Sequence, residues 1–328
     1  MAKRLIRTPS IGIVTFSSQD NVSADDLLRF ADTAMYRAKN DGRNQIRFFS
    51  PEMQNRVDEQ VHLEKLLRKA LEKKEFSLNF QPIFDDKNEI ISAEALLRWE
   101  HPKKGNISPA EFIPVSEETG VILPLGEWVL REACKTLKNW ETGGPENGGF
   151  FLLRIAINVS PKQFRQSSFV SQVKKTLEEF QLDPCRLEIE LTEGVVIADV
   201  DDTIRKMHAL KSLGISISID DFGTGYSSLA YLIKLPIDVL KIDQSFVRDI
   251  TCDKNNSVIV KTIISMAQHL KMNVIAEGVE TEAQLKHLAI QGCRILQGYL
   301  FSKPLVSEEF AEFYSEHKEY PKRSRSNF

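Results

Sequence analysis

Long apolar runs are missing from this 328-residue chain. None approaches the roughly 18 consecutive apolar residues needed to cross a bilayer, and the N-terminus lacks the apolar stretch of a signal peptide. The expectation is a protein with no integral membrane segment. Cysteine is scarce as well. The 4 cysteines, Cys134, Cys185, Cys252 and Cys293, show neither the short spacing of a zinc knuckle nor the density of a disulfide framework. A reducing, cytoplasmic location follows as an expectation. No excess of one charge exists either: 43 basic side chains face 46 acidic ones, so bulk electrostatic binding of duplex nucleic acid is excluded. The 6 histidines form no spaced ligand pair, and His101, which precedes Pro102, reads as a turn residue.

The chain is long enough for one large α/β barrel or two ordinary domains. Its first part is thin. Residues 11–16 read as a strand, 23–40 as a capped amphipathic helix ended at Asp41-Gly42, and 45–49 as a second strand. Three such elements cannot readily close a core, so residues 1–49 read as a fragment or an appendage. Residues 50–74 then form a charged helix with Val57, Val61, Leu63, Leu66, Leu67 and Leu71 on one side. That stripe is too short for a coiled coil and predicts a connecting helix.

Beyond residue 75 the chain alternates. Strand-like runs occur at 76–84, 90–97, 152–159, 186–191, 215–220, 238–242, 273–276 and 294–296, with helical stretches such as 124–140, 201–213, 257–270 and 282–290 between them. Eight strands interleaved with helices predict a closed TIM-like (β/α)8 barrel. Only Asp85 to Glu89 separates the first two strands, too few residues for a parallel crossover, so one strand of the barrel is expected to be antiparallel. The glycine-rich stretch 143–149 lacks the lysine and the strand-to-helix context of a phosphate cradle and reads as a surface connection.

Chemistry-bearing residues fall at the C-terminal ends of these runs: Asn158, Glu190, Asp220 with Asp221, Lys241, Glu277 and Gln297. In a barrel those ends share one mouth, where active sites are assembled. Burying so many carboxylates together is costly without cations, and Lys241 is the lone base among them, with Arg98 just past the second strand. Bound divalent metal is the natural compensation. An all-oxygen donor set favours Mg²⁺ or Mn²⁺ over zinc. Adjacent Asp220 and Asp221 can both face the mouth only if the strand breaks there, and the following Phe222-Gly223-Thr224-Gly225 supplies a break. Two carboxylates at one turn could bridge a pair of ions of the kind that serve phosphoryl hydrolysis.

The run Glu94-Ala95-Leu96-Leu97-Arg98-Trp99 resembles the signature of EAL-domain cyclic di-GMP phosphodiesterases. Gln81-Pro82-Ile83, Asn158-Val159-Ser160, Glu190-Leu191-Thr192-Glu193, residues 220–229, Lys241-Ile242-Asp243, residues 277–281 and residues 297–301 are similar to further motifs of that family, in order. The resemblance implies hydrolysis of cyclic di-GMP to linear pGpG with two divalent ions per site. It implies Glu94, Asn158, Glu190, Asp220 and Glu277 as ligands of the first ion, Asp221 at the second, and Lys241 as a water-orienting or general-base lysine. It also implies substrate contacts for Gln81 and Arg98, a place near the water for Gln297, an accessory acid in Glu193, and a glutamate, Glu280, anchoring the loop 221–228 that couples metal binding to a homodimer through the barrel. Two positions depart from the family pattern: Gly194 where serine is common, and Arg294, close in sequence to Gln297, where an acid is usual.

Residues 10–13, 31–39 and 42–44 resemble the end of a GGDEF diguanylate cyclase domain, without its signature loop. The expected organisation is therefore a truncated GGDEF-like remnant at 1–49, a linker helix at 50–75, an EAL barrel at 76–316 and a basic tail at 317–328. Cyclase activity is not expected. The competing expectation is a catalytically silent cyclic di-GMP receptor or protein-interaction module, which would be marked by lost ligands or a lost lysine; here each of those positions is filled. A metal-dependent aldolase is suggested by fold alone, which is a weak warrant.

Overall fold

The computed structural model describes residues 8–17, 22–40, 42–142, 153–195, 199–224 and 232–319. The chain divides into two compact units, Met1–Glu72 and Lys73–Phe328. The glycine-rich stretch 143–149 and most of the basic tail lie outside the described residues.

In the first unit, β1 (Ile11–Ile13) pairs in parallel with β2 (Ile46–Phe48), and α1 (Ala24–Asn40) joins them. Both strands are shorter than the sequence pattern suggested. Ser23 caps α1 by accepting from the Asp26 N–H at 3.1 Å, while Asp25 and Asp26 in the first turn and Arg37 and Lys39 in the last complement the helix dipole. Gly12 is where α1 meets β1, since a Cβ there would lie 2.1 Å from the Ala31 carbonyl oxygen. Phe30 and Phe49 stack with ring centroids 4.2 Å apart. On α2 (Pro51–Lys73), Leu63, Leu67 and Ala70 are buried, but Val61 is exposed and does not belong to the apolar stripe.

The second unit is the expected barrel. Its strands are β3 (Phe76–Phe84), β4 (Ile90–His101), β6 (Arg154–Val159), β7 (Leu187–Thr192), β8 (Ser216–Phe222), β9 (Val239–Ile242), β10 (Asn273–Ala276) and β11 (Ile295–Leu296), each beside the next and closed by pairing between β3 and β11. β3 is antiparallel to both of its neighbours, with Phe76 opposite Trp99 and Gln81 opposite Glu94. The turn after it is built as the hairpin requires: Asp85 Oδ1 accepts the Lys87 and Glu89 N–H groups, and Asn88 takes a positive φ of 63°. A ninth strand, β5 (Gly105–Ile107), extends β4; its three residues carry no alternating pattern that the sequence could have shown. His101 Nδ1 accepts the Lys103 and Lys104 N–H groups, confirming its place in that turn.

Around the barrel lie α3 (Pro109–Thr119), α4 (Ile122–Thr142), α5 (Pro161–Phe164), α6 (Phe169–Phe180), α7 (Val200–Leu213), α8 (Gln244–Arg248), α9 (Lys254–His269), α10 (Glu282–Ile290) and α11 (Ser307–Glu319). Strand alternation then decides what faces where. On β9, Leu240 and Ile242 join the large core shared with the helices, whereas Val239 joins Ile83, Ile275 and Ile295 in a small separate cluster. Those four side chains plug the barrel, each fully buried one contributing about 1.5–3 kcal/mol. Two residues further along β9, on the same face as Val239, comes Lys241. The plug is therefore the floor of the polar mouth.

Candidate active site

The same period of two delivers the other polar groups. Glu190 follows Glu188 on β7, Asp220 follows Ser218 on β8, Glu277 follows Ile275 at the end of β10, and Gln297 follows Ile295 after β11. The carboxylates among them converge on one cation. Lys241 Nζ lies 2.6 Å from Glu277 Oε1, 2.9 Å from Glu190 Oε1, 3.1 Å from Glu94 Oε2 and 3.8 Å from Asp220 Oδ1, and its side chain is 0% exposed. Asn158 Nδ2 donates to Glu94 Oε1 at 2.7 Å, and Gln297 Nε2 donates to Glu94 Oε2 at 2.7 Å. Gln81, opposite Glu94 in the β3–β4 ladder, accepts from Gln297. Arg98 is half-buried on β4, donates to the Leu97 carbonyl, and is within electrostatic reach of Glu94 and Tyr299.

Asp220 and Asp221 face the mouth by a different device from the expected strand end. β8 continues to Phe222, but its pairing with β9 is irregular between Ile219 and Phe222, and Asp221 adopts φ 53°. A left-handed residue within a strand turns its side chain out of strict alternation, and aspartate tolerates that conformation better than most residues. Asp220, Asp221 and Glu277 each offer a carboxylate oxygen, all within 4.8 Å of one another. The neighbouring Asp243 also raises the pKa of Asp221, and it caps α8 by accepting the Ser245 N–H at 2.9 Å. Asp243 is not singled out by the sequence pattern; its position in Lys241-Ile242-Asp243, just past the end of β9, is the available signal.

Glu193 Oε2 accepts the Gly223 N–H at 3.4 Å, which ties the end of β7 to the start of the following loop. Glu280 is exposed; its N–H donates to Gln284 Oε1 in the capping region of α10. Residues 225–231 of the loop lie outside the described residues, as does any contact they make with Glu280. Arg294 stands at the other end of the barrel, before β11, 3.8 Å from Asp86 of the β3–β4 turn. Its reversed charge is thus directed to the β3–β4 turn rather than to the polar mouth.

The electrostatics are those of a site short of positive charge. Burial raises the pKa of Glu190 well above the usual range, and burial together with the charges of Asp220 and Glu94 raises Glu277 to about 8. Burial and the Asp220 charge bring Asp221 to about 6. In Glu94 burial is outweighed by Lys241 and by the amides of Gln297 and Asn158, so its pKa falls. Burial opposes the charge on Lys241, but Glu190, Glu277, Glu94 and Asp220 overcome it and hold the ammonium well above its ordinary value. Neither oxygen of Glu190 accepts a hydrogen bond of good geometry among the described residues. Buried acceptors left in this condition, with an all-oxygen donor set, fit a divalent cation.

Residues 64–304 match the EAL domain, and residues 2–45 match the diguanylate cyclase, GGDEF domain. The chain belongs to the EAL domain family. The chain is 41% identical over 301 residues to the bifunctional diguanylate cyclase/cyclic di-GMP phosphodiesterase MucR of Pseudomonas aeruginosa, covering 92% of this chain and 43% of that protein. It is 38% identical over 315 residues to the cyclic di-GMP phosphodiesterase PdeR of Escherichia coli, covering 96% of this chain and 46% of that protein. The chain thus spans less than half the length of these curated relatives. Among solved structures, the PaMucR phosphodiesterase in complex with c-di-GMP superposes with a TM-score of 0.72 at 41% identity, covering 76% of this chain and 99% of that one. The EAL enzyme Bd1971 in its cAMP- and cyclic-di-GMP-bound form gives 0.76 at 34% identity, covering 90% and 77%.

Proposed function

We propose that this barrel is a phosphodiesterase that hydrolyses cyclic di-GMP to linear pGpG with two divalent ions, Mg²⁺ or Mn²⁺. The observation that carries the reading is the convergence of Glu94, Glu190, Asp220 and Glu277 on a fully buried Lys241 in an EAL domain. Relatives bearing the name cyclic di-GMP phosphodiesterase and a solved neighbour complexed with c-di-GMP support the substrate.

Glu94, Asn158, Glu190, Asp220 and Glu277 would hold the first ion, and Asp221 the second. Bound there, the ions supply Lewis-acid activation of water and charge stabilisation at phosphorus and the departing 3′-oxygen. Lys241, buried along its whole stem, orients the attacking water as the ammonium, and would take its proton only as the neutral amine that the charge of bound ions favours. Water oxygen bonds to phosphorus, the bond to the 3′-oxygen breaks, and that oxygen ends protonated. Gln81 and Arg98 contact the dinucleotide, and Gln297 faces the water. Glu193 secures the loop at Gly223, and Glu280 anchors it from just before α10. The cyclase-like segment occupies 1–49, the linker helix 50–75, the phosphodiesterase 76–316 and the basic tail 317–328.

Homodimerisation through the barrel is supported by Val258 at 63% and Ile290 at 87% exposure, on α9 and α10, which Ser257 and His287 link at 2.8 Å. A cytoplasmic location is supported by 4 unpaired cysteines. Among the described residues no helix is long and apolar enough to cross a membrane. The test is incubation with cyclic di-GMP and Mg²⁺ or Mn²⁺, with pGpG separated by chromatography. Glu94→Ala and Lys241→Ala are expected to lower turnover by at least about 10²-fold, and Glu280→Ala to impair it. Binding without turnover in several divalent metals would replace the enzyme with a receptor.

A further inference from the structure

Hydrogen-bond chemistry leaves the amide of Gln297 one orientation. A carboxylate and a backbone carbonyl can only accept. Glu94 Oε2 therefore requires the amide nitrogen of Gln297, found 2.7 Å away, and the Ser302 carbonyl requires the amide nitrogen of Gln81, found at 3.2 Å. With its nitrogen turned to Ser302, Gln81 presents Oε1 to Gln297, whose Nε2 donates to it at 3.2 Å. Both protons of Gln297 Nε2 are then used. Gln297 Oε1 remains as a buried acceptor with no partner among the described residues.

Gln81 is itself held from two sides. β3 and β11 share a single register pair, Leu296 with Phe84, so the closure of the barrel is thin at this seam. The segment after Gln297 completes it: the Phe80 N–H donates to Leu305 O at 2.6 Å and the Leu305 N–H to Phe80 O at 2.9 Å, directly beside Gln81. The relay thus runs from a strapped seam, through two amides, to Glu94.

We infer that Gln81 is a positioning residue that acts through Gln297, fixing that amide so that its carbonyl oxygen is the end offered to a water in the site, while its nitrogen steadies Glu94. The identity of that water and of the ion at Glu94 rests on the proposed phosphodiesterase reading; the amide orientation does not. A residue that merely touches the dinucleotide would affect only substrate binding. A residue that sets Gln297 affects the site before substrate arrives.

The experiment compares wild type, Gln81→Met, Gln297→Met and the double variant, by Mn²⁺ titration without dinucleotide and by kcat and KM for cyclic di-GMP. Gln81→Met is expected to weaken Mn²⁺ binding by about tenfold, the low end for loss of a ligand's supporting partner. It should lower kcat more than it raises KM, and add little in the Gln297→Met background. A rise in KM alone, with Mn²⁺ binding unchanged and effects that multiply in the double variant, would overturn the relay. If Gln81→Met fails to fold, Gln81→Asn, too short to span Ser302 and Gln297, serves the same comparison. Should wild type bind Mn²⁺ without cutting cyclic di-GMP, the phosphodiesterase reading falls and the metal titration still decides the relay.

Discussion

Lys241 Nζ and Glu277 Oε1 are 2.6 Å apart across β9 and β10, the shortest of four carboxylate contacts that this one ammonium shares. One positive charge cannot neutralise four buried acids, so the metal-free mouth retains protons that an exposed site would release.

Chelated protein should therefore lose stability as pH rises. Asp221 and Glu277, with pKa values of about 6 and about 8, lie above their unfolded values, so the stability they contribute at acid pH is lost through this range. Between pH 5 and pH 8, melting in EDTA is expected to fall by at least about 1 kcal/mol, the worth of one pKa unit. Saturating Mg²⁺ should reverse the trend, because deprotonated ligands bind it best. Calorimetry across pH, with and without metal, checks both signs.

Glu190→Gln should raise the melting temperature of the metal-free protein while lowering its response to Mn²⁺. The change removes a buried acid whose pKa burial already drives far up, and whose oxygens find no good hydrogen bond. A gain of about 0.5–2 kcal/mol is expected, with catalysis lost, as for other strained sites traded for stability. Thermal scans with and without Mn²⁺ measure it.

Gly298→Ala should cost about 1–3 kcal/mol by overpacking. A Cβ at Gly298 would lie 2.1 Å from the Val279 carbonyl oxygen and 2.3 Å from its nitrogen, backbone atoms already bonded to Gln297 and Leu300. Neither can retreat without breaking the strap. Urea denaturation gives the loss, and turnover should fall with it.

Two of the four thiols should react readily with a thiol reagent at pH 8, and all four in denaturant. Cys185 and Cys252 are exposed, whereas burial lifts Cys134 to about 12 and Cys293 to about 11. Raised thiols stabilise the fold at neutral pH and cease to do so as pH climbs past about 9, where the unfolded chain ionises. Cys134→Ser and Cys293→Ser variants should leave the fast-reacting count unchanged.

Much of the site was readable because barrel strands are short and strongly apolar, so a single polar residue at the end of each, such as Glu190 or Lys241, stands out. The reversed strand was readable from the five residues between Phe84 and Ile90. Other features were not, because they depend on backbone detail rather than on pattern. The positive φ of Asp221 sits inside a strand that its composition would end, and β5 is too short to have a period. Asp243 reads in sequence as a helix cap, which it also is, and nothing in the pattern reveals that it raises the pKa of Asp221. That Arg294 pairs with Asp86 follows from which end of β11 it occupies, not from its three-residue separation from Gln297.

The reversal of β3 also decides where the polypeptide is threaded into the barrel. In an all-parallel barrel the first strand starts at the rim opposite the chemistry. Here Phe76, the first residue of β3, lies beside Trp99, beyond Glu94 on the side of the polar mouth, and Glu75 is fastened there by the Trp99 indole and the Glu100 N–H. The chain thus enters the barrel at the rim that carries the polar mouth, five residues ahead of Gln81, with the apolar plug behind it rather than in the way.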